Sequence, residues 1–337
     1  MDARSGPGIY SPGMGNVKPK VLVTEPLSER ALAWLAEHAE VLRSTADAVN
    51  AAVEAGNAPH ELAEADGLVV RTYTLVTPAL LALAPRLKVV GRAGVATDNI
   101  DVRACRARGV EVVHTPAANT LAVVDYTVRM IIEMNRRFWP MSGPPPPEEF
   151  HQVRKQTFGH FLADRTLGIV GCGRIGSRVG RAAAGLGMTV LYNDILDIEV
   201  DYPARAVDKP TLYAESDIVT IHVPLTDVTR RMIDAEALAQ FRPGAQFINA
   251  ARGQCVDSAA LAAALKSGAL SAAVIDCHDP EPPPPDYPLF GLDRVILTPH
   301  IAARVPAATE AMCDVVYDVA AVLEGRKPRF PAPREGL

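Results

Sequence analysis

Three things are scarce in this chain of 337 residues, and each scarcity closes off a class of function. Cysteine is the first. There are five, at 105, 172, 255, 277 and 313, with no C-x-x-C pair and no metal-ligand spacing. Scattered cysteines of this kind read as reduced thiols in a cytoplasmic protein, not as a disulfide framework or a zinc site. Excess positive charge is the second. The 34 Lys and Arg stand against 39 Asp and Glu, a net of -5, which offers no basic surface to nucleic acid or to an anionic membrane. Long apolar runs are the third, since none approaches a membrane span. The first 16 residues are rich in Gly, Pro and Ser, lack an apolar signal core, and read as a loose tail. What is present is 48% hydrophobic residues, ample for two cores in a chain of about two domains' length.

Short apolar runs alternate with helical patterns. Strands are predicted at Lys20–Thr24, Glu40–Leu42, Gly67–Val70, Leu87–Val90 and Val110–His114. Ser28 is placed to cap a helix reaching His38, and Thr77-Pro78 opens another. A third helix starts at Ile100-Asp101 and stops near Gly109. The alternation predicts a small parallel α/β domain over residues 17–117. A long helical pattern, Thr120 to Phe138, then leads the chain away, and Pro144–Pro147 is expected to break regular structure. Further strands are expected at Ile218–His222, Gln246–Asn249, Ala272–Asp276 and Val295–Leu297, with Pro282–Pro285 in a loop. A final helix over about Ala307–Leu323 is placed back on the first domain. That domain then comprises 17–117 plus 304–337, with 118–303 inserted into it.

The inserted part carries the most informative run, Leu167-Gly-Ile-Val-Gly-Cys-Gly-Arg-Ile-Gly176. A strand ends at Val170, Gly171, Gly173 and Gly176 form a G-x-G-x-x-G, and a helix over Ser177–Leu186 follows. A second strand, Met188–Tyr192, leads to Asp194. Strand, glycine turn, helix, strand and acid together are the dinucleotide fingerprint. The first glycine permits the tight turn, the second lets backbone approach a pyrophosphate, and the third lets helix and strand pack. The helix N-terminus offers N–H groups and partial positive charge to the phosphates. Asp194 would accept from both ribose hydroxyls and repel a 2′-phosphate, which favours NAD over NADP.

With these motifs the chain resembles the D-isomer-specific 2-hydroxyacid dehydrogenases, among them D-lactate and 3-phosphoglycerate dehydrogenases and glyoxylate/hydroxypyruvate reductases. The similarity runs from Val21 to Pro328. Its other markers are Gly91-Arg-Ala-Gly-Val-Ala-Thr-Asp-Asn-Ile-Asp101, Asn119-Thr120, His222-Val-Pro-Leu225, Asn249-Ala-Ala-Arg-Gly253, Asp276, Glu281-Pro282 and Thr298-Pro-His-Ile301. The resemblance implies a Rossmann NAD domain inserted into a flavodoxin-like substrate domain, both doubly wound parallel sheets. It implies hydride transfer between NAD and a small 2-oxo or D-2-hydroxy acid, and a homodimer, to which the apolar pattern from Val123 to Ile132 also points.

Carried over residue by residue, it makes Arg252, Glu281 and His300 the catalytic set. A histidine near neutral pKa can give the carbonyl oxygen its proton and take it back. A carboxylate beside the imidazole favours its charged form and orients it. A guanidinium grips the substrate carboxylate bidentately. Gly171, Gly173, Arg174, Ile175 and Gly176 would line the pyrophosphate, and Val223 and Pro224 the adenosine half. Ala250 and Asp276 would lie near the nicotinamide, with Asp276 accepting from its carboxamide, and Ala251 and Ala302 would be further cofactor contacts. Arg71, Gly94 and Val95 would face the substrate carboxylate beside Arg252 and His300.

The chain departs from the family's pattern in places. Ala96 stands where relatives often have Gly, and Val123-Val-Asp125 where they have Val-Ala-Glu. Pro140–His160 is Pro-rich where relatives usually carry a Gly-x-Trp segment for dimer packing. Cys277-His278 replaces a usual Val-Phe pair, and His278 is expected to tune substrate choice. A metal held by Cys277, His278 and Asp279 is disfavoured, because adjacent residues rarely converge on one ion. No Lys or Arg lies in Thr72–Ala84 to hold a substrate phosphate, and no appended regulatory domain is expected; both weigh against a regulated 3-phosphoglycerate enzyme and leave glyoxylate/hydroxypyruvate reduction and a short 3-phosphoglycerate dehydrogenase as the two readings. The alternative of another class is an NAD-sensing co-repressor, and the intact Arg, Glu and His set favours catalysis over it.

Overall fold

The computed structural model describes residues 18–138, 143–156 and 158–333, so the expected tail over 1–16 lies outside the described residues. Two compact units emerge. Among the described residues one holds 18–93, 99–114 and 313–332, and the other 94–98, 115–312 and Pro333. The expected boundaries differ in that residues 94–98, 115–117 and 304–312 group with the second unit. No helix among the described residues is long and apolar enough to cross a membrane.

The first unit is a five-stranded parallel sheet of β1 (Lys20–Val23), β2 (Glu40–Arg43), β3 (Gly67–Val70), β4 (Val89–Arg92) and β5 (Glu111–His114). Its order is β2-β1-β3-β4-β5, the flavodoxin-like arrangement. All four residues of β3 are buried, as a strand covered on both faces requires. The helix Glu29–His38 begins where Ser28 Oγ accepts from the Ala31 amide. The Pro78–Leu83 helix begins at Thr77, whose hydroxyl accepts from the Leu80 amide.

Two helices between β2 and β3 escaped the periodicity argument, Ala46–Glu54 and His60–Glu64. The first buries only Ala46 and Val49, and the second is little more than one turn anchored by Leu62. The expected single final helix is in fact two, Pro306–Cys313 and Val315–Leu323. Between them the Tyr317 amide reaches only three residues back, to the Asp314 carbonyl. Val315, Val316 and Val319 then pack on Val21, Val69, Val89 and Val113 of the sheet.

The second unit holds β6 (Thr166–Val170), β7 (Thr189–Asn193), β8 (Arg205–Ala206), β9 (Ile218–Ile221), β10 (Ala245–Asn249), β11 (Leu270–Ile275) and β12 (Val295–Leu297). All pairings are parallel, in the order β12-β11-β10-β9-β6-β7-β8. The chain builds outward from β6 to β8, then returns to the other side of β6. This is the Rossmann order, with its switch point between β6 and β9. Two doubly wound parallel sheets are what the alternation of elements predicts. The proline run breaks regular structure only as far as Pro146. Pro147 opens the helix Pro147–Gln156, at a position where a missing N–H costs little.

Candidate active site

The glycine turn lies between β6 and the helix Gly176–Gly185. Gly171 has φ +90°, and a Cβ there would come within 2.6 Å of the His222 carbonyl. A Cβ on Gly176 would lie 2.0 Å from the Gly171 carbonyl oxygen, so only glycine lets helix and turn meet. Gly173 differs: a Cβ there meets nothing within 4 Å. The helix Gly176–Gly185 has no side-chain cap at Ile175. Open space above one glycine, between two that are closely packed, at an uncapped helix N-terminus, fits a dinucleotide pyrophosphate.

Asp194 follows β7. Its Oδ2 accepts from the Cys172 amide (2.7 Å) and its Oδ1 from the Leu196 amide (3.0 Å), which fixes the acid beside the turn. Val223 lies against Gly171, within 2.9 Å of a Cβ placed there. The Pro224 carbonyl accepts from Thr229 Oγ1 (2.6 Å). Ala250 and Ala302 share a small apolar cluster with Val123, against which Ile175 packs.

Asp276 follows β11 and is fully buried. Its Oδ1 accepts from Thr298 Oγ1 (2.6 Å) and the Ile301 amide (2.8 Å), and its Oδ2 from the Ala302 amide (2.9 Å). Its backbone carbonyl accepts from the His300 amide (2.9 Å). These four bonds make Asp276 the scaffold of the loop carrying His300. Within that loop His300 adopts φ +53°, a conformation that a non-glycine residue holds only when its surroundings impose it.

His300 Nδ1 lies 3.0 Å from both oxygens of Glu281. The pair is partly open to solvent, with the two side chains 38% and 37% exposed. The Cys277 sulfur first, and Glu281 second, push the His300 pKa up to about 10 against a smaller opposing effect of burial. The expected near-neutral histidine is thus an imidazolium at pH 7.

Arg252 belongs to the turn after β10. Asn249 Oδ1 accepts from the Ala251 amide (2.9 Å), and Asn249 Nδ2 donates to the Arg252 carbonyl (2.9 Å). The guanidinium donates from Nη1 to the Ala251 carbonyl (2.6 Å) and from Nε to Asp98 (2.6 Å). Burial is the largest single effect and would lower its pKa, but the charge and hydrogen bond of Asp98, with smaller help from Cys277 and Cys255, together outweigh it and raise the pKa. Gly253 lets the loop carrying Glu281 close onto this turn, since a Cβ there would sit 1.9 Å from the His278 carbonyl oxygen.

Asp98 and Asn249, both inside the marker motifs, have roles that only the structure reveals, and of the Cys277-His278 pair it is Cys277 that meets His300. His278 is only 4% exposed. Its Nε2 donates to the Thr298 carbonyl (2.9 Å), and its ring stands edge-on to Tyr287 at 5.4 Å. It braces two loops and is not presented to a substrate. Cys277 donates to the Ala251 carbonyl (3.4 Å), between the Arg252 turn and His300. Gly94 and Val95 group with the second unit, where the Gly94 carbonyl accepts from the Thr115 amide (3.0 Å). Arg71 belongs to the first unit, where it follows β3.

A glycine turn at a switch point, with an imidazolium–carboxylate pair and a held guanidinium in the same unit, defines a dinucleotide-binding protein equipped to move a proton near an anion. Residues 128–302 match the family described as D-isomer specific 2-hydroxyacid dehydrogenase, NAD binding domain. The chain is 36% identical over 292 residues to a D-3-phosphoglycerate dehydrogenase of Archaeoglobus fulgidus, covering 86% of this chain and 54% of that one. It is 33% identical over 291 residues to a hydroxypyruvate reductase of Thermotoga maritima, covering 86% and 93%. A crystal structure of an NADPH-dependent glyoxylate/hydroxypyruvate reductase from Sinorhizobium meliloti, in complex with NADP and malonate, superposes with a TM-score of 0.79 at 26% identity, covering 95% and 98%. The chain belongs to the D-isomer specific 2-hydroxyacid dehydrogenase family. It spans about half the length of the phosphoglycerate dehydrogenases that it matches.

Proposed function

We propose that this protein is an NAD-dependent oxidoreductase that interconverts a small 2-oxo acid and its D-2-hydroxy acid. The observation that carries the reading is His300 Nδ1 seated on both Glu281 oxygens in the unit that holds the dinucleotide turn. The seven-stranded sheet is the cofactor domain and the five-stranded sheet the substrate domain. Nicotinamide, when bound, supplies or accepts the hydride. His300 holds the proton that the carbonyl oxygen takes as charge builds on it, and Glu281 keeps the imidazole charged and oriented. Arg252 grips the substrate carboxylate, and Arg71 and the 94–95 backbone add to that grip. Gly171, Gly173, Arg174, Ile175 and Gly176 seat the pyrophosphate, and Asp194 the ribose. Val223 and Pro224 flank the adenosine half, Ala250 and Asp276 the nicotinamide, with Asp276 accepting from its carboxamide, and Ala251 and Ala302 add further cofactor contacts.

The substrate is read as unphosphorylated, of the glyoxylate or hydroxypyruvate kind, because the exposed stretch after Arg71 presents Tyr73 and Leu75 and no second cation. The paired acid and base favour turnover over the co-repressor alternative. A homodimer is supported by the apolar face left on the helix Thr120–Asn135, where Leu121 is 67% exposed. Beside it runs a groove of about 420 Å³ lined by Val124, Val128 and Ile132. Five free buried thiols are in keeping with a cytoplasmic setting. A panel of 2-oxo acids at neutral pH, followed by loss of NADH absorbance, tests the activity. Silence across the panel, with NADH bound, would refute it.

A further inference from the structure

Ligands of open α/β sheets bind beyond the carboxyl ends of the strands, where the strand order switches side. In the five-stranded sheet that point lies between β1 and β3. Two segments leave there. Thr24, Glu25 and Pro26 follow β1, and Arg71 to Thr74 follow β3.

The two segments are joined in an unusual way. Glu25 is 8% exposed, and its carboxylate faces four consecutive backbone amides. Oε1 accepts from Arg71 N (2.9 Å), Tyr73 N (3.1 Å) and Thr74 N (3.1 Å), and also from Thr74 Oγ1 (3.2 Å). Oε2 accepts from Thr72 N (2.8 Å) and Tyr73 N (3.2 Å). Asn99 Nδ2 closes the other side, donating to the carbonyls of Arg71 (3.2 Å) and Thr74 (2.7 Å).

An ionised carboxylate is the one side chain that can accept all these bonds, since an amide or a protonated acid would point a donor at other donors. Burial alone would raise the pKa of Glu25, but the four amides together outweigh it and hold the group below the ordinary glutamate range. The amides also occupy the carboxylate, so it does not capture the neighbouring guanidinium. Arg71 Nη1 donates instead to the Pro26 carbonyl (3.0 Å). Glu25 and Pro26 therefore fix Arg71 twice, by its backbone and by one end of its fork.

We infer that Glu25 is a positioning residue for substrate binding: through the Arg71–Thr74 loop it aims the Arg71 guanidinium at the substrate carboxylate. This rests on the proposed function, in which Arg71 takes that carboxylate. Arg71 binds an anion present in both ground and transition states, so misaiming it falls on KM more than on kcat.

The test is a cycle of Glu25→Gln, Arg71→Ala and the double variant in the full chain. It uses the best 2-oxo acid of the panel, with NADH affinity read by fluorescence and folding by thermal melts. Glu25→Gln should raise KM about tenfold, the worth of one good charge-assisted hydrogen bond, with kcat and NADH affinity nearly unchanged. In the Arg71→Ala background the same change should add little, because both act through one guanidinium. If Arg71→Ala raises KM and Glu25→Gln does not, Glu25 is no positioning residue and the Arg71 reading stands. Effects that multiply in the double variant would show that Glu25 acts on the fold alone and would overturn the inference. If Arg71→Ala leaves KM unchanged, the Arg71 assignment fails and the inference with it. Should Glu25→Gln not fold, Glu25→Asp keeps the charge but draws it back by one methylene, and the same cycle then applies.

Discussion

Replacing Glu281 by glutamine removes one charge and leaves the side chain's shape. Glutamine can still accept the Nδ1 proton of His300 through its carbonyl oxygen, so the ring keeps its orientation. What changes is the stability of the imidazolium. Unit charges about 4 Å apart attract by about 1 kcal/mol in water and about 4 kcal/mol at an effective dielectric of about 20. The pair stands 3.0 Å apart, but more than a third of each side chain is exposed, so water screens it toward the lower figure. A loss of about 1–3 kcal/mol corresponds to about one to two pH units.

The sign follows from the direction of the shift. The pKa of His300 is raised to about 10, and reduction needs the protonated ring. Reduction by the parent should therefore hold across neutral pH and fall only as pH climbs through about 10. In Glu281→Gln that fall should come about one to two pH units sooner. At neutral pH reduction should change modestly, while oxidation of the hydroxy acid, which needs the neutral ring, should gain from the larger neutral fraction. The assay is kcat/KM in both directions against pH, because kcat/KM reports the free enzyme's ionisations. A Glu281→Gln profile that overlays the parent's would refute the pairing.

Other perturbations separate the remaining parts. His300→Ala should cut turnover by a factor of about 10² to 10⁴ with NADH affinity intact, and parental turnover would end the catalytic assignment. Asp98→Ala should raise KM for the oxo acid about tenfold by freeing the Arg252 Nε; an unchanged KM would mean that Arg252 aims itself. Gly176→Ala would put a methyl carbon 2.0 Å from the Gly171 carbonyl oxygen. It should destabilise the fold by about 3 kcal/mol, seen as a lower Tm, and weaken NADH binding in titrations. Asp194→Ala should narrow a clear preference for NADH over NADPH; equal kcat/KM for both in the parent would remove the basis for that preference.

How far the molecule could be read in advance depended on range. The glycine turn was legible because its chemistry is local. A positive φ, a close approach and a helix start all fall within six residues, and Asp194 completes the pattern one strand later. Strands with all faces covered announce themselves as short apolar runs, so both sheets could be anticipated. The Ala46–Glu54 helix could not, because two buried residues in nine leave no periodic stripe. The break at Asp314 was hidden for the opposite reason: apolar residues continue on both sides of it.

The site shows the same division at longer range. His300, Glu281 and Arg252 carry chemistry in their own side chains and could be named from their motifs. The residues that hold them could not, because a supporting role depends on who arrives beside them. Asp98 is 154 residues from Arg252, and nothing in a Thr-Asp-Asn run says which guanidinium it will meet. Asp276 could be picked out as an acid at a strand end, but that it also holds three donors of its own chain is decided only by how the 298–302 loop returns. Cys277 and His278 make the point within one dipeptide. The more polar residue turned inward to brace a carbonyl, and the plainer thiol came to lie where it raises the pKa of the His300 ring. A Cys277→Ala variant that left the pH profile untouched would show that Glu281 sets this pKa unaided.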